Sequence, residues 1–402
     1  MEIIRKEYLD KLEDLKDKHF IKVLTGIRRS GKSTILCQFQ ELLKNKYKVS
    51  QKQIQYFDFN NKLLTEITWK DLTNDILSKS SNSITNYIFL DEIQEIKEFE
   101  KVVITLFEYK KIKFDVYITG SNSQMFSTKL ATLFTGRNAP IHVLPISFDV
   151  IFKNLHKEKN KNNAFNEYLA YGGLGIIVPN FTNKVLLKET LSWVLSDTIN
   201  KDVKARHKIK KSESLDKLTK FVFSNIGHII SANKIEKYLK SSKETKLTGK
   251  TIIKQLEWLC EALVLFKVKY YDIKGKSILK TKAKYYAGDL GILSSTTSYD
   301  VNKEIGFRLE NLVYLELLNR DYKVYTYADK YDREIDFVCE KNNKISYWQV
   351  TRTLSDKNLE RETNSLLSVK DNYPKTIITL EDDSKHTNNG IDVFNIVDWL
   401  LE

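Results

Sequence analysis

Short, nearly continuous apolar runs dominate the first 150 residues. They are Phe20 to Thr25 (FIKVLT), Gln53 to Phe59 (QIQYFDF), Tyr87 to Glu92 (YIFLDE), Asp115 to Gly120 (DVYITG) and Ile141 to Ile146. Runs of this length predict strands buried on both faces of a parallel sheet. Thr34 to Lys44 (TILCQFQELLK) instead spaces its apolar residues as one face of a helix. The polar stretch Lys153 to Asn163 reads as a surface loop, and Phe165 to Tyr171 and Lys184 to Ile199 read as helices on either side of a YGGLG turn at 171 to 175. A basic stretch, Lys204 to Lys211, marks a boundary. Beyond it come short helices within 214 to 266, two β-like runs (Val264 to Tyr271 and Ser277 to Tyr286) around Lys274 and Gly275, and a last α/β portion. That portion has an amphipathic helix, Glu304 to Asn319, and strands at Glu334 to Val338 and Ser346 to Thr351. The chain is therefore expected to be α/β, with a parallel sheet first and smaller units after it.

Chemistry enters at the end of the first run, where GIRRSGKST (26 to 34) places Gly26, Gly31, Lys32 and Ser33 at the spacing of a phosphate-binding loop between a strand and a helix. Glycines allow the backbone of Gly26, Arg29, Ser30 and Gly31 to close around phosphate oxygens. The helix start at Lys32, Ser33 and Thr34 adds its partial positive charge. Lys32 would bridge the terminal phosphates and Ser33 would ligate Mg²⁺, a hard cation that prefers oxygen. The third run ends in paired carboxylates. Asp91 there would hold the Mg²⁺ shell, and Glu92 would polarise the attacking water.

Composition narrows the setting. With 402 residues, 42% hydrophobic, the chain is long enough for two or three cores. Cys37, Cys260 and Cys339 are isolated and the six histidines form no ligand spacing, which points to a reducing, cytoplasmic setting without a zinc site. No run approaches the roughly 18 apolar residues of a membrane span. The net charge is +13 with a pI near 9.2, which favours a polyanionic partner such as DNA, although lysine spread through an Asn- and Ile-rich chain produces the same excess without one. The helices and paired runs from 214 to 286 have the order of a winged helix. Lys250, Lys254 and Gln255 stand on its third helix, available for a DNA groove or, equally, for protein contacts.

Taken together, GIRRSGKS, YIFLDEIQ, YITGSNS, TGRNAPIHVLPISF, YGGLG, KYYAGDLG, LEN and REIDF resemble a prokaryotic family of AAA-type (AAA+) ATPases carrying a C-terminal region similar to the PD-(D/E)xK nucleases. The resemblance spans nearly the whole chain and departs at Gly175, where the family commonly has proline. It implies ATP and Mg²⁺ as ligands, a P-loop ATPase core over 1–150, a helical lid over 151–205, a winged-helix domain over 206–295 and a restriction-endonuclease-like α/β domain over 296–402. It also implies a γ-phosphate contact from Ser121 or Asn122, residues that could equally cap a helix before Met125. Arg137 is expected to stabilise transition-state charge, in cis or from a neighbouring copy of a homo-oligomer, or else to pair with a surface acid. In the nuclease-like region Glu310 and Asp336 match two expected metal-binding acids. Gln349 and Thr351 stand where an acid and a lysine belong, leaving a degenerate site without its cation. The activity expected is Mg²⁺-dependent ATP hydrolysis coupled to domain movement on DNA. Its alternatives are a nucleotide-sensing DNA-binding adaptor and an ATP-regulated, metal-dependent nuclease.

Overall fold

A computed structural model describes residues 3–61, 66–122, 136–156, 159–177, 183–209, 213–241, 248–273, 277–296, 301–329, 333–354, 356–381 and 390–402. The expected turn at Lys274 and Gly275, and Ser123 with the helix cap before Met125, lie outside these residues. Two compact units are present, one formed by 1–144 with 261–263 and the other by 145–260 with 264–402.

In the first unit, strands β1 (Ile21–Thr25), β2 (Ile54–Asp58), β3 (Asn86–Asp91), β4 (Phe114–Gly120) and β5 (Asn138–His142) form one parallel sheet in the order β2-β3-β4-β1-β5. Alternate side chains feed two cores, as the two-residue period of a strand requires. On one face Val23, Ile88, Leu90, Val116 and Ile118 pack against helices α3 (Trp69–Lys79) and α4 (Phe99–Glu108) through Leu72, Ile76, Val102 and Val103. On the other, Leu24, Phe89 and Tyr117 meet α1 (Lys6–Leu15) and α2 (Lys32–Asn45) through Leu9, Leu12, Leu36 and Phe39. The fifth strand begins earlier than the apolar run suggested, at 138 and not 141. It borders β1 alone, so Pro140, which has no N–H to give, is accommodated at the sheet edge.

The second unit opens with α5 (Phe148–Leu155), α6 (Lys161–Tyr171) and α7 (Lys184–Thr198), the last continuing as a wider helical turn through Ala205. The loop expected over 153–163 is shorter than its polarity implied. Asn160 caps α6 by accepting the Asn162 N–H at 2.8 Å, so residues 161 to 163 are already helical. Next come α8 (Glu213–Phe223), the short strand β6 (Ile229–Ile230), α9 (Ala232–Ser241), α10 (Gly249–Glu261) and a hairpin, β7 (Leu265–Asp272) with β8 (Ser277–Ala287). The chain then forms α11 (Leu290–Thr296), α12 (Val301–Asn319), β9 (Lys323–Ala328), β10 (Glu334–Lys341), β11 (Lys344–Thr351), α13 (Asp356–Leu367), β12 (Lys375–Thr379), β13 (Ile391–Asn395) and α14 (Ile396–Leu401).

All eight strands of this unit share one sheet, β13-β12-β11-β10-β9-β7-β8-β6, joined where Tyr270 pairs with Thr326. The sheet thus runs across residue 295, where a domain boundary was expected. The YGGLG and GDLG motifs meet at a buried acid: Asp289 accepts N–H groups from Gly173 at 2.8 Å, Gly291 at 2.8 Å and Ile292 at 3.2 Å. Gly172, in the left-handed region at φ +72°, passes so close that a Cβ there would sit 2.4 Å from the Asp289 carboxylate. Among the described residues no helix is long and apolar enough to cross a membrane.

Candidate nucleotide site

The loop after β1 is shaped by two glycines with different tasks. A Cβ on Gly26 would meet the Val143 carbonyl oxygen at 2.3 Å and Ser30 Oγ at 2.7 Å, so only hydrogen fits beneath the loop. Gly31 takes φ +97° and Arg29 φ +68°, and this left-handed backbone turns the chain into α2. The helical bond from Ile35 N–H to Gly31 C=O (2.9 Å) leaves the N–H groups of Lys32, Ser33 and Thr34 ahead of the ladder, at the positive end of the helix. The Lys32 ammonium donates to the carbonyls of Gly26 (2.9 Å) and Ile27 (3.3 Å), and lies 3.4 Å from Glu92 Oε1.

The carboxylates arrive from β3. Pairing of Leu90 with Ile118 and of Leu24 with Thr119 aligns the carboxyl ends of β3, β4 and β1, where open α/β sheets bind ligands. Asp91 accepts from Tyr56 Oη at 2.8 Å, from the Thr119 hydroxyl and from the Ser33 hydroxyl. Desolvation still holds its pKa above the ordinary value. Glu92 is turned out of the strand by a left-handed backbone, φ +53°. Its N–H donates to Thr119 Oγ1 at 2.8 Å, and its Oε2 accepts from the Ser121 N–H at 3.2 Å and from Gln94 Nε2 at 2.5 Å. Burial raises the Glu92 pKa, but Lys32 and Gln94 outweigh it and the net shift is downward. Ser33 and Asp91 form an all-oxygen donor pair, which fits a hard divalent cation.

The structure brings Gly26, Arg29, Ser30, Gly31, Lys32, Ser33, Thr34, Asp91 and Glu92 to this edge, with Ser121 and Asn122 buried beside Glu92 at the end of β4. Arg137 is elsewhere. Its carbonyl accepts from Ile21 N–H at the start of β1, and its guanidinium is 2.8 Å from Glu108, at the amino edge of the same sheet. Five residues of strand, roughly 17 Å, separate that edge from the loop.

Several contributors were not foreseen. Thr119 ties both acids together, Tyr56 reaches Asp91 from β2, and buried Arg5 donates to the carbonyls of Ser30 (3.4 Å) and Leu144 (3.3 Å) from outside the motif. At His142, opposite Thr25, desolvation and the Lys32 charge pull the pKa down to about 4. Of these, only Thr119 and Gln94 carried a local signal, being adjacent to the strand ends already singled out.

A second lysine–carboxylate cluster lies in the other unit. Glu310 and Asp336 come together as expected, and Lys284 from β8 enters between them: its Nζ is 2.7 Å from Glu310, 2.7 Å from Glu334 and 3.4 Å from Asp336. The site without a cation inferred from Thr351 is corrected here, because the cation comes from a hairpin distant in sequence. Thr351 instead donates to the Thr353 carbonyl, two residues further on, at 3.0 Å. Gln349 is not free to offer an oxygen to a metal either. Its Oε1 accepts the Asp336 N–H at 3.2 Å and its Nε2 donates to Glu362 at 2.8 Å. Gln255, read as available for a DNA groove or equally for protein contacts, is buried and donates to Ser214 Oγ at 3.2 Å.

Family models match an AAA domain at residues 18–152, a domain of unknown function (DUF8612) at 162–303 and another (DUF4143) at 305–399. An uncharacterized protein of Haemophilus influenzae is 34% identical over 413 residues, covering 100% of this chain and 99% of its own length. One from Methanocaldococcus jannaschii is 30% identical, covering 90% of this chain and 82% of its own. Among solved structures, the chain is similar to a Walker-type ATPase of Pyrococcus abyssi at 17% identity and a TM-score of 0.47, over 73% of this chain and 96% of that one. It is also similar to the ORC1 protein of Aeropyrum pernix, solved in complex with DNA, at 12% identity and a TM-score of 0.31, over 74% and 93% of the two chains.

Proposed function

Because this chain belongs to the prokaryotic AAA-type P-loop ATPases, we propose that it binds ATP with Mg²⁺ and hydrolyses it, with Glu92 as the group that orients and deprotonates the attacking water. The observation that carries this reading is the position of Glu92. Its carboxylate is held by Gln94 and the Ser121 N–H while its remaining oxygen rests 3.4 Å from Lys32. Among the described residues, the other hydrogen bonds of Lys32 go to main-chain carbonyls, partners that a phosphate group, being charged, displaces readily. Once Lys32 turns to the phosphates, Glu92 loses the neighbour that depresses its pKa and becomes a stronger base. The bound ion, held by Ser33 and Asp91, would supply charge neutralisation at the phosphates. Ser121 or Asn122 would then report the presence of the γ-phosphate to the rest of the chain.

DNA is the partner we assign, on charge. Besides the net +13, Lys217, Lys220 and Lys234 line a cavity of about 560 Å³ with Phe221 and Tyr238, a combination of cations and exposed ring suited to a phosphate backbone and its bases. Nucleotide turnover would then be coupled to movement of the later domains on DNA. Arg137 stands at the wrong edge of its own sheet to help, so a role in hydrolysis requires a neighbouring copy to supply it.

Phosphate release measured with and without duplex DNA tests the reading. Glu92→Gln should retain ATP and slow release by about 10²- to 10⁴-fold, the range for removing a general base. Release at the parent rate from that variant would refute the assignment of Glu92, and failure of the native chain to retain ATP would refute the whole.

A further inference from the structure

The resemblance of the C-terminal sequence to the PD-(D/E)xK nucleases implies a divalent ion between Glu310 and Asp336, and the residues present do not fit one. The reason is positive, not a shortage of acids. Lys284 Nζ already stands among Glu310, Glu334 and Asp336, within 2.7 to 3.4 Å of all three. The residue is 1% exposed, and although burial alone would lower its pKa, the charges of Glu310, Asp336 and Glu334 hold it well above the usual range. Two further donors reach the same acids. Glu310 Oε1 accepts from Tyr286 Oη at 2.6 Å and Asp336 Oδ2 from the Val350 N–H at 2.9 Å. Glu362, the nearest spare acid, is held by Gln349 and by Arg361 at 2.5 Å.

We propose that Lys284 is a tethered cation standing where a divalent metal would stand, so that this cluster fastens β8 to α12 and β10 and is closed to metal ions. An ammonium ion can neutralise acids but cannot polarise a water as a bare divalent ion does, and it has no open coordination position.

Terbium luminescence on the full chain without nucleotide tests this, because Tb³⁺ takes oxygen ligands and the Tyr286 ring beside Glu310 would sensitise it. The native chain should show no Tb³⁺ signal that depends on Asp336. Lys284→Met, which leaves the carboxylates facing one another, should gain a saturable signal at least tenfold stronger, lost again in Lys284→Met/Asp336→Asn, and Tb³⁺ should raise its melting temperature by more than that of the native or the doubly substituted chain. Where Lys284→Met does not fold alone, it and Lys284→Gln are refolded with Tb³⁺. Failure of both to fold or to bind would overturn the equivalence of lysine and metal. Asp336-dependent Tb³⁺ binding by the native chain would overturn the proposal too, as would Mn²⁺-dependent plasmid cleavage that Asp336→Asn removes.

Discussion

Lys32 and Lys284 are both buried lysines facing carboxylates, one in each unit, and they differ in what else holds them. Lys32 has two main-chain carbonyls and a single carboxylate, at 3.4 Å. Lys284 has three carboxylates and needs nothing more. The surroundings agree. Asp91 faces hydroxyl groups from Tyr56, Thr119 and Ser33, which can turn, whereas Asp336 is bound to fixed main-chain N–H at Val350 and to an ammonium ion. A lysine among carbonyls is poised for a ligand, and a lysine among carboxylates has become part of the fold.

The same substitution at the two positions should therefore give opposite signatures. Lys284→Met strands a group of buried acids, a change that costs about 3–5 kcal/mol in comparable buried pairs, and should lower the melting temperature sharply. Lys32→Met should leave the melting temperature near that of the parent and weaken ATP binding, by roughly 10- to 100-fold if the lost charge-assisted bonds are worth about 1.5–3 kcal/mol. Calorimetric melting and ATP titration on both variants separate the cases. A Lys284→Met chain as stable as the parent would erase the distinction.

Asp289 offers a third condition, a buried acid with no cation beside it among the described residues. Desolvation pushes its pKa up to about 6 although three N–H groups face it. Since the folded value lies above the unfolded one of 3.8, its contribution to stability is fully present below about pH 4 and is lost as the pH rises through about 6. The change is at most roughly 3 kcal/mol, at about 1.4 kcal/mol per pKa unit. Unfolding free energies at pH 4 to 7 should fall along this course, and Asp289→Asn, which cannot titrate, should flatten the slope. An unchanged slope in that variant would place the pH dependence elsewhere.

The legibility of the two lysine sites in the sequence follows the same contrast. The phosphate loop is local: Gly26, Gly31, Lys32 and Ser33 lie within one turn and its flanks, and Asp91 and Glu92 end a single apolar strand. The cluster at Lys284 is not local. Its acids come from α12 and β10, its lysine from a hairpin that patterning assigned to another domain, and only the pairing of β7 with β9 joins them. Thr351 occupied the expected lysine position, and nothing in the spacing pointed back to residue 284. Arg137 lies between these extremes. A residue that precedes a parallel strand must stand at the amino edge of the sheet, away from the loop, and that much was readable from strand direction alone. Arg5 and Tyr56, by contrast, reach the site only through packing of α1 and pairing of β2, which no local pattern encodes.

The smallest effect should come from the hydroxyl that ties the two carboxylates of the candidate nucleotide site together. Thr119 donates to Asp91 and accepts the Glu92 N–H at 2.8 Å, so it sets both acids relative to one another without touching the proposed substrate. Thr119→Val keeps the shape and removes the hydroxyl, leaving the Glu92 N–H without its acceptor. At about 1.4 kcal/mol, within the range for such a loss, turnover should fall roughly tenfold. The effect should lie in kcat with KM for ATP little changed, and Thr119→Ser should restore the parent rate. If instead KM rose and kcat held, Thr119 would matter for binding, and the poised state of the first lysine site would depend on Tyr56 and Ser33 alone.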